Sequence, residues 1–177
     1  QGANRIVAVS ESLKGHVARL QPWISDRIEV IPNGINLSLT NLVAPSDSPE
    51  LPPRYLLAIA NLKPVKGIDV LLRAFAMLKT RFMDWHLLIA GEGIERQNLE
   101  CLVSRLELKD RVHFLGTASR SMIAHLLRHS SVVVIPSRHE GFGMVALEAF
   151  LFAKPVVATY VGGLPDLIDE GITGLLV

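Results

Sequence analysis

Two glutamates, Glu140 and Glu148, are the residues whose types and positions point most directly to chemistry. Glu140 follows the apolar run 132–135, which is typical of a buried parallel strand. Glu148 falls about a turn and a half into an apolar helix that begins near Gly143. A charge on such a helix is costly to desolvate unless it has a partner. The pattern therefore favours two ligand-binding carboxylates; a capping Glu140 with a salt-bridged Glu148 is the structural alternative.

Glycines between the two carboxylates support the functional interpretation. Gly141 and Gly143 let the backbone approach a ligand closely. The carboxyl end of a strand, a glycine turn and a helix start are where open α/β sheets bind ligands. A carboxylate at this edge is well suited to accept hydrogen bonds from sugar hydroxyl groups, as in ribose recognition.

The loop 61–67 follows another predicted strand and carries Lys63 and Lys66 before a helix start. Lysine ammonium groups and the N–H groups of a helix N-terminus both favour anions, so the loop suits a diphosphate. Two ordinary surface lysines are the alternative interpretation.

Two glycine turns follow later strands. The turn 91–93 begins like the dinucleotide fingerprint, but Arg96 stands where the third glycine belongs, which argues against NAD. The pair Gly162-Gly163 suits a turn that brings a helix start to the same edge. For both turns a structural and a functional role stay open.

Apolar runs alternate with amphipathic segments, which predicts a parallel sheet with helices on both faces. Right-handed crossovers then favour a Rossmann-like, doubly wound α/β fold. The predicted strands are 5–9, 27–31, 55–60, 85–90, 112–115, 132–135 and 155–159, with an apolar strand at 174–177. The first predicted helix is capped by Ser10 or Ser12 and runs to about Leu20, and the other predicted helices are 68–79, 94–106, 119–129 and 144–153.

Bulk properties exclude several classes of protein. The 177 residues carry a net charge of +1, which gives no case for nucleic-acid binding. No apolar run reaches the roughly 18–20 residues that span a bilayer. The one cysteine, Cys101, excludes an intrachain disulfide and is expected to be buried in its helix. His125 and His129 share a helical face, but Leu126 stands where a zincin has its glutamate, so no metal site is expected.

The organisation predicts a fragment of a larger two-domain protein. Residues 1–35 form a strand–helix–strand unit that cannot build a core alone and is interpreted as the tail of another domain. Residues 36–53 carry four prolines without periodicity and are interpreted as a linker. Residues 54–177 then carry the Rossmann-like domain, which is expected to be truncated at its C-terminus; the resemblance described next implies that this domain binds the nucleotide-sugar donor.

Taken in order, these segments resemble the donor domain of retaining GT-B glycosyltransferases, in the group called glycosyl transferases group 1, or family 4. That domain carries G-R-L-x-x-x-K-G, G-x-G, R-V-x-F-L-G, P-S-x-x-E-G-F-G-x-x-x-x-E and G-G-x-P-E. The corresponding segments here are ANLKPVKG at 60–67, GEG at 91–93, RVHFLG at 111–116, PSRHEGFGMVALE at 136–148 and GGLPD at 162–166.

The resemblance implies a donor site without a metal or other cofactor, with Lys66 on the diphosphate and Glu140 on the sugar as the catalytic residues. Glu148 would bind the ribose hydroxyl groups. The full set of implied donor-binding residues is Asn61, Lys66, Gly91, Gly93, Phe114, Leu115, Arg138, Glu140, Gly141, Phe142, Gly143 and Glu148.

The chain departs from the family pattern at two positions. Asn61 stands where the family has an arginine that binds phosphate, which removes a cation; Lys63 or Arg138 are the candidates to compensate. Asp166 replaces the family glutamate with a shorter side chain of the same charge.

The expected activity is retaining transfer of a hexosyl group from a UDP- or GDP-sugar to a hydroxyl acceptor, namely a glycan, a lipid or a small molecule. The expected location is the cytoplasm, with a peripheral membrane contact through the other domain left open. The alternatives are a nucleotide-sugar binding module without chemistry of its own, a sugar-nucleotide epimerase and a dehydrogenase.

Overall fold

The computed structural model of the chain describes residues 3–46 and 48–177. Gln1, Gly2 and Asp47, which belong to the predicted N-terminal unit and the predicted linker, lie outside the described residues. The strands and α-helices are β1 (Ile6–Ala8), α1 (Glu11–Leu20), β2 (Ile28–Val30), β3 (Tyr55–Ile59), α2 (Ile68–Met77), β4 (His86–Ala90), α3 (Arg96–Arg105), β5 (Val112–Gly116), α4 (Arg120–His129), β6 (Val132–Ile135), α5 (Met144–Leu151), β7 (Val156–Ala158) and β8 (Gly174–Leu176).

Six parallel strands form the main sheet in the order β5-β4-β3-β6-β7-β8. The first strand of the unit, β3, lies in the middle; the chain winds outward to β4 and β5, then returns to β6 on the other side of β3. This order is that of a doubly wound Rossmann-type sheet, so the predicted fold is confirmed.

Apolar side chains pack on both faces of the sheet. Leu57 and Leu88 face a core that they share with α4 and α5, whereas Leu87 and Ile89 face a core that they share with α2 and α3. Since neighbouring residues of a strand point to opposite faces, both faces are covered only if nearly every residue is apolar. The uninterrupted apolar runs of the sequence follow from this requirement.

Several helix boundaries differ from the predicted ones by one or two residues, and two of these differences follow from the backbone. The helix α3 begins at Arg96 rather than at residue 94, because the Glu95 N–H donates to the Leu62 carbonyl at 3.0 Å and holds 93–95 in a turn. The helix α5 ends at Leu151 rather than at residue 153, because Ala153 takes the left-handed conformation with φ of 53°.

The prediction that Cys101 is buried was wrong: its side chain is exposed. The buried residues of α3 are Leu99, Leu102 and Val103. They form a stripe at helical spacing that leaves position 101 on the solvent side.

The N-terminal unit is a separate two-stranded parallel sheet, in which Ile6 pairs with Ile28 and Ala8 with Val30. The start of the predicted linker packs against the main domain. Residues Leu37–Asn41 form a 3₁₀ turn, and Leu39 is buried. Arg128 of α4 donates to the Thr40 carbonyl at 2.9 Å, so the start of this segment is fixed on α4.

A wholly apolar groove of about 400 Å³ lies on the sheet face beside α2, where Leu56, Val132, Val134 and Val157 are among its lining residues. Within 3–46 and 48–177, no helix is both long and apolar enough to cross a bilayer.

Candidate functional site

The loops that follow β3 and β6 meet at the carboxyl edge of the sheet, where the strand order reverses. The Arg138 N–H donates to the Val65 carbonyl at 2.8 Å and joins the two loops. Gly67 has a φ of 64°, and a Cβ there would lie 1.9 Å from the Pro136 carbonyl oxygen. Glycine is therefore required for the loops to approach so closely.

Lys66 and Glu140, the two predicted catalytic residues, form an ion pair at this point. The Lys66 Nζ lies 2.8 Å from Oε2 of Glu140, and the two side chains are 28% and 17% exposed. The Ser137 hydroxyl donates to the same oxygen at 3.2 Å. The adjoining cavity measures only about 20 Å³, so the ion pair itself occupies the space between the loops.

Glu148 lines a different and larger cavity of about 500 Å³, together with Arg120, Asn36 and Ser38. This volume lies in the range of small-molecule sites, which is about 300–1,000 Å³. Burial raises the pKa of the Glu148 carboxyl, and the positive charge of Arg120 opposes that rise. A half-buried acid beside a cation, in an open cavity with both polar and apolar lining residues, suits the recognition of ligand hydroxyl groups.

Arg138 is engaged by protein groups. Its guanidinium forms two hydrogen bonds of 2.8 Å with the carboxylate of Asp69, which lowers the pKa of Asp69. It also donates to the Pro64 carbonyl. Arg138 thus ties the β6 loop to α2, while Asn61 and Lys63 stand exposed at the start of the β3 loop.

Gly91 and Gly93 are placed by close backbone contacts. A Cβ at Gly91 would lie 1.9 Å from the Ala60 carbonyl oxygen, and one at Gly93 would lie 2.4 Å from that of Leu62. Both glycines are thus required for the turn to pass the β3 loop. Phe114 and Leu115, both half-buried on β5, lie near this turn. The Arg96 guanidinium stands 4.8 Å from the centre of the Phe114 ring.

The segment Gly141-Phe142-Gly143 leads from Glu140 into α5. Gly141 is exposed, Phe142 is buried, and Gly143 adopts a φ of 106° as the residue that precedes the helix. Gly162, from the turn after β7, packs against this segment: a Cβ there would lie 1.6 Å from the Glu140 carbonyl oxygen. The glycine pair therefore supports the backbone of Glu140.

The structure adds three residues that the sequence reasoning missed, namely Ser137, Thr159 and Arg120. Ser137 is almost fully buried behind Glu140. The Thr159 hydroxyl donates to the backbone carbonyl of Ser137. Arg120 begins α4 and lines the Glu148 cavity. One signal could have revealed Arg120: the loop after β5 ends at the same edge of the sheet as the other site loops.

The fold and this site define a Rossmann-type domain with charged side chains gathered at its switch point. The family model of glycosyl transferases group 1 matches residues 45–177. The chain belongs to this family, whose activity is glycosyl transfer.

Curated relatives agree with this assignment. The chain is 33% identical over 186 residues to an uncharacterized glycosyltransferase of Methanocaldococcus jannaschii, covering 98% of this chain and 46% of that protein. It is 34% identical over 190 residues to a D-inositol 3-phosphate glycosyltransferase of Frankia alni, covering 99% of this chain and 47% of that protein. The chain thus spans about half the length of these relatives.

Solved structures show the same correspondence. Anabaena Alr3699/HepE, crystallised with UDP and glucose, superimposes with a TM-score of 0.84 at 26% identity, over 99% of this chain and 49% of that one. Sucrose-phosphate synthase from Thermosynechococcus elongatus gives a TM-score of 0.81 at 30% identity, over 99% and 45% of the respective chains. Both are twice the size of the described domain, in agreement with the fold predicted for a larger protein.

Proposed function

We propose that this chain supplies the donor site of a glycosyltransferase that moves a hexosyl group from a nucleotide-diphosphate sugar to a hydroxyl acceptor with retention of configuration. The observation that carries the proposal is the Lys66–Glu140 ion pair at the switch point of the sheet. It places a cation for phosphate beside an anion for sugar hydroxyl groups, at the edge where doubly wound folds bind nucleotides.

In this mechanism Lys66 stabilises the negative charge that develops on the departing diphosphate. Glu140 accepts hydrogen bonds from sugar hydroxyl groups while positive charge develops at the anomeric carbon. The backbone N–H groups of 141–143 add donors toward sugar and phosphate. Catalysis is then mainly electrostatic, because preorganised charges cost no reorganisation as the bond breaks. The proposal assigns diphosphate neutralisation to these groups rather than to a metal ion.

The nucleoside would occupy the cavity of Glu148. This carboxylate accepts hydrogen bonds from the ribose hydroxyl groups, and Phe114 and Leu115 lie toward the base. The neighbour Alr3699/HepE, which was solved with UDP and glucose, makes a uridine nucleotide the first candidate. A guanosine nucleotide is the alternative.

The acceptor would bind chiefly to a second domain, of which residues 1–35 would be the tail and 36–53 the connection. A glycan, a lipid or a small molecule could then be the acceptor, and we place the enzyme in the cytoplasm. Since the chain spans about half of its relatives, a donor-binding module without chemistry of its own is the second candidate for the chain alone.

Calorimetric titration of the protein with UDP, GDP, ADP and NAD tests the donor site. We expect one nucleoside diphosphate to bind selectively. Glu148→Gln should lower the affinity for this nucleoside diphosphate about tenfold, which corresponds to the loss of one hydrogen bond to a charged group. Glu107→Gln is the matched control, because Glu107 follows α3 at the opposite edge of the sheet, where it pairs with Lys79. Equal affinity in the wild type and in Glu148→Gln would remove the ribose role.

Transfer is assayed separately with the intact protein that carries this chain. Release of nucleoside diphosphate from the selected donor should fall at least tenfold in Lys66→Ala. Activity of the intact protein but not of the 177-residue chain would identify the chain as the binding half. Undiminished transfer by Lys66→Ala would exclude this lysine from the mechanism.

A further inference from the structure

The hydrogen bonds around Glu140 are unequally divided between its two oxygen atoms. Lys66 at 2.8 Å and Ser137 at 3.2 Å both donate to Oε2. Within the part of the chain that the structure describes, no protein donor is recorded for Oε1. A carboxylate has lone pairs on both oxygens, so Oε1 keeps its acceptor capacity for a ligand.

The two donors to Oε2 differ in how firmly they are held. Lys66 ends in a flexible, 28% exposed side chain, whereas Ser137 is only 1% exposed. Thr159, which follows β7, donates its hydroxyl to the Ser137 carbonyl at 2.5 Å. Ser137 is therefore fixed between two neighbouring strands, and its hydroxyl has a defined position.

A diphosphate would compete with Glu140 for the Lys66 ammonium group. Once Lys66 turns toward phosphate, Ser137 is the remaining protein donor to Oε2 among the described residues. The carboxylate would then keep its orientation through this buried hydroxyl at the moment when the sugar is bound.

We propose that Ser137 is a positioning residue that holds Oε2 of Glu140, so that Oε1 is the atom that accepts hydrogen bonds from the transferred sugar. The inference rests on the proposed function, because it assumes that the site binds a nucleotide sugar. It predicts that Ser137 affects the sugar moiety of the donor and leaves the nucleotide moiety alone.

The test compares the affinities of UDP-glucose and UDP for the intact protein by calorimetry; GDP-mannose and GDP are the second probe pair. The dissociation constant of UDP divided by that of UDP-glucose measures how much the sugar moiety contributes to the affinity for the donor. In Ser137→Ala we expect this ratio of the dissociation constant of UDP to that of UDP-glucose to fall about five- to tenfold, while UDP affinity changes by less than about twofold. Ser137→Thr, which keeps the hydroxyl, should restore the ratio.

Ser130→Ala is the matched control: Ser130 is 2% exposed, and its hydroxyl donates to the Leu127 carbonyl at 3.0 Å, on α4. It should leave the ratio unchanged. If Ser137→Ala does not fold, Ser137→Cys keeps the shape with a weaker donor and should give an intermediate ratio. An unchanged ratio in these variants, or equal losses of UDP and UDP-glucose affinity, overturns the proposal. If the wild type binds neither sugar nucleotide, the proposed function fails first, and this inference fails with it.

Discussion

At the scale of single residues, the candidate site holds charged side chains that are partly removed from water, which costs free energy in the folded state. Lys66 and Glu140 satisfy each other in the small cavity between the loops. Glu148 has a cation nearby, yet burial still raises the pKa of its carboxyl. A carboxyl held at such a cost is typical of a binding site, because the fold gains nothing from its charge.

The cost at Glu148 predicts a pH-dependent stability. Its pKa is raised above the ordinary value of 4.5, so the folded state keeps a proton that the unfolded state releases. The stabilisation is present below the unfolded pKa and is lost as pH rises through the folded pKa. Glu148→Gln should therefore gain stability relative to the wild type as pH rises from 4 to 7, which urea unfolding measures.

Glu107→Gln should show the opposite sign. A hydrogen bond from Lys79 lowers the pKa of Glu107, so its stabilisation is present above the unfolded pKa and is lost as pH falls. Compared with the wild type, Glu107→Gln should therefore lose more stability at pH 7 than at pH 3. The same sign of pH dependence in both variants would show that the environment of Glu148 is not the one described.

Sequence reasoning identified site residues whose position depends on a strand of the sheet, and missed residues whose role depends on contacts between side chains of different loops. Glu140 and Lys66 were predictable because each follows an apolar strand, and parallel strands deliver such loops to one edge. The contacts of Ser137 with Glu140 and the place of Arg120 beside Glu148 depend on side-chain orientation and on loops from different strands, so their positions in the sequence do not reveal the contacts. The departure at Asn61 is visible in sequence, whereas the engagement of Arg138 by Asp69 depends on the packing of α2 against the β6 loop.

At the scale of elements, glycines let the site loops pass one another. Gly162 has a φ of 59°, and a Cβ there would lie 1.6 Å from the Glu140 carbonyl oxygen. Gly162→Ala should therefore displace the backbone of Glu140. We expect a loss of at least about 3 kcal/mol in the free energy of unfolding, since left-handed strain and a backbone clash both contribute. Affinity for the sugar moiety should fall with it.

Gly171 separates these two causes. Its φ is 76°, but a Cβ there would have no heavy atom within 4 Å. Gly171→Ala should therefore cost only the left-handed strain, about 1–2 kcal/mol, and should leave nucleotide-sugar affinity unchanged. Urea unfolding and calorimetry of both variants provide the comparison. Equal losses of stability would mean that Gly162 supports the Glu140 loop no more than a free turn does.

The strands and helices were largely predictable, because a sheet that is buried on both faces requires uninterrupted apolar runs in the sequence. The residues at which the helices begin and end were harder to predict. The start of α3 depends on the Glu95 N–H and the Leu62 carbonyl, which are distant in sequence. The 3₁₀ turn Leu37–Asn41 lacks the helical period that reveals α-helices, so its segment was interpreted as a linker throughout.

At the scale of the whole molecule, the N-terminal unit contacts the loops of the candidate site. The Ser10 hydroxyl accepts from the Leu13 N–H at 3.2 Å and so caps α1. It also donates to the Gly141 carbonyl at 2.8 Å. The Glu11 N–H donates to Asp166 at 3.2 Å. Asp166, the shorter residue in place of the family glutamate, thus receives the N-terminus of α1. These contacts couple the unit 1–35 to both glycine segments around Glu140.

Ser10→Ala tests whether this coupling is energetically significant. The variant loses a helix cap and a hydrogen bond between the two units, with Ser10 only 2% exposed. We expect a loss of about 2–3 kcal/mol in the free energy of unfolding. Ser119→Ala is the control, because Ser119 caps α4 through the Met122 N–H at the same distance of 3.2 Å and is exposed. It should lose about 1 kcal/mol.

Hydrogen exchange locates the effect. In Ser10→Ala, the amide of Ala146, which donates to the Gly143 carbonyl at 2.9 Å, should exchange faster than in Ser119→Ala, because the segment 141–143 loses the hydrogen bond that Ser10 donates to Gly141. If the two serine variants lose equal stability and the Ala146 amide exchanges at the same rate in both, the N-terminal unit contacts the site without stabilising it. A larger loss of stability in Ser10→Ala, together with faster exchange of the Ala146 amide, would mean that the N-terminal unit and the loop of Glu140 are energetically coupled through the Ser10–Gly141 hydrogen bond.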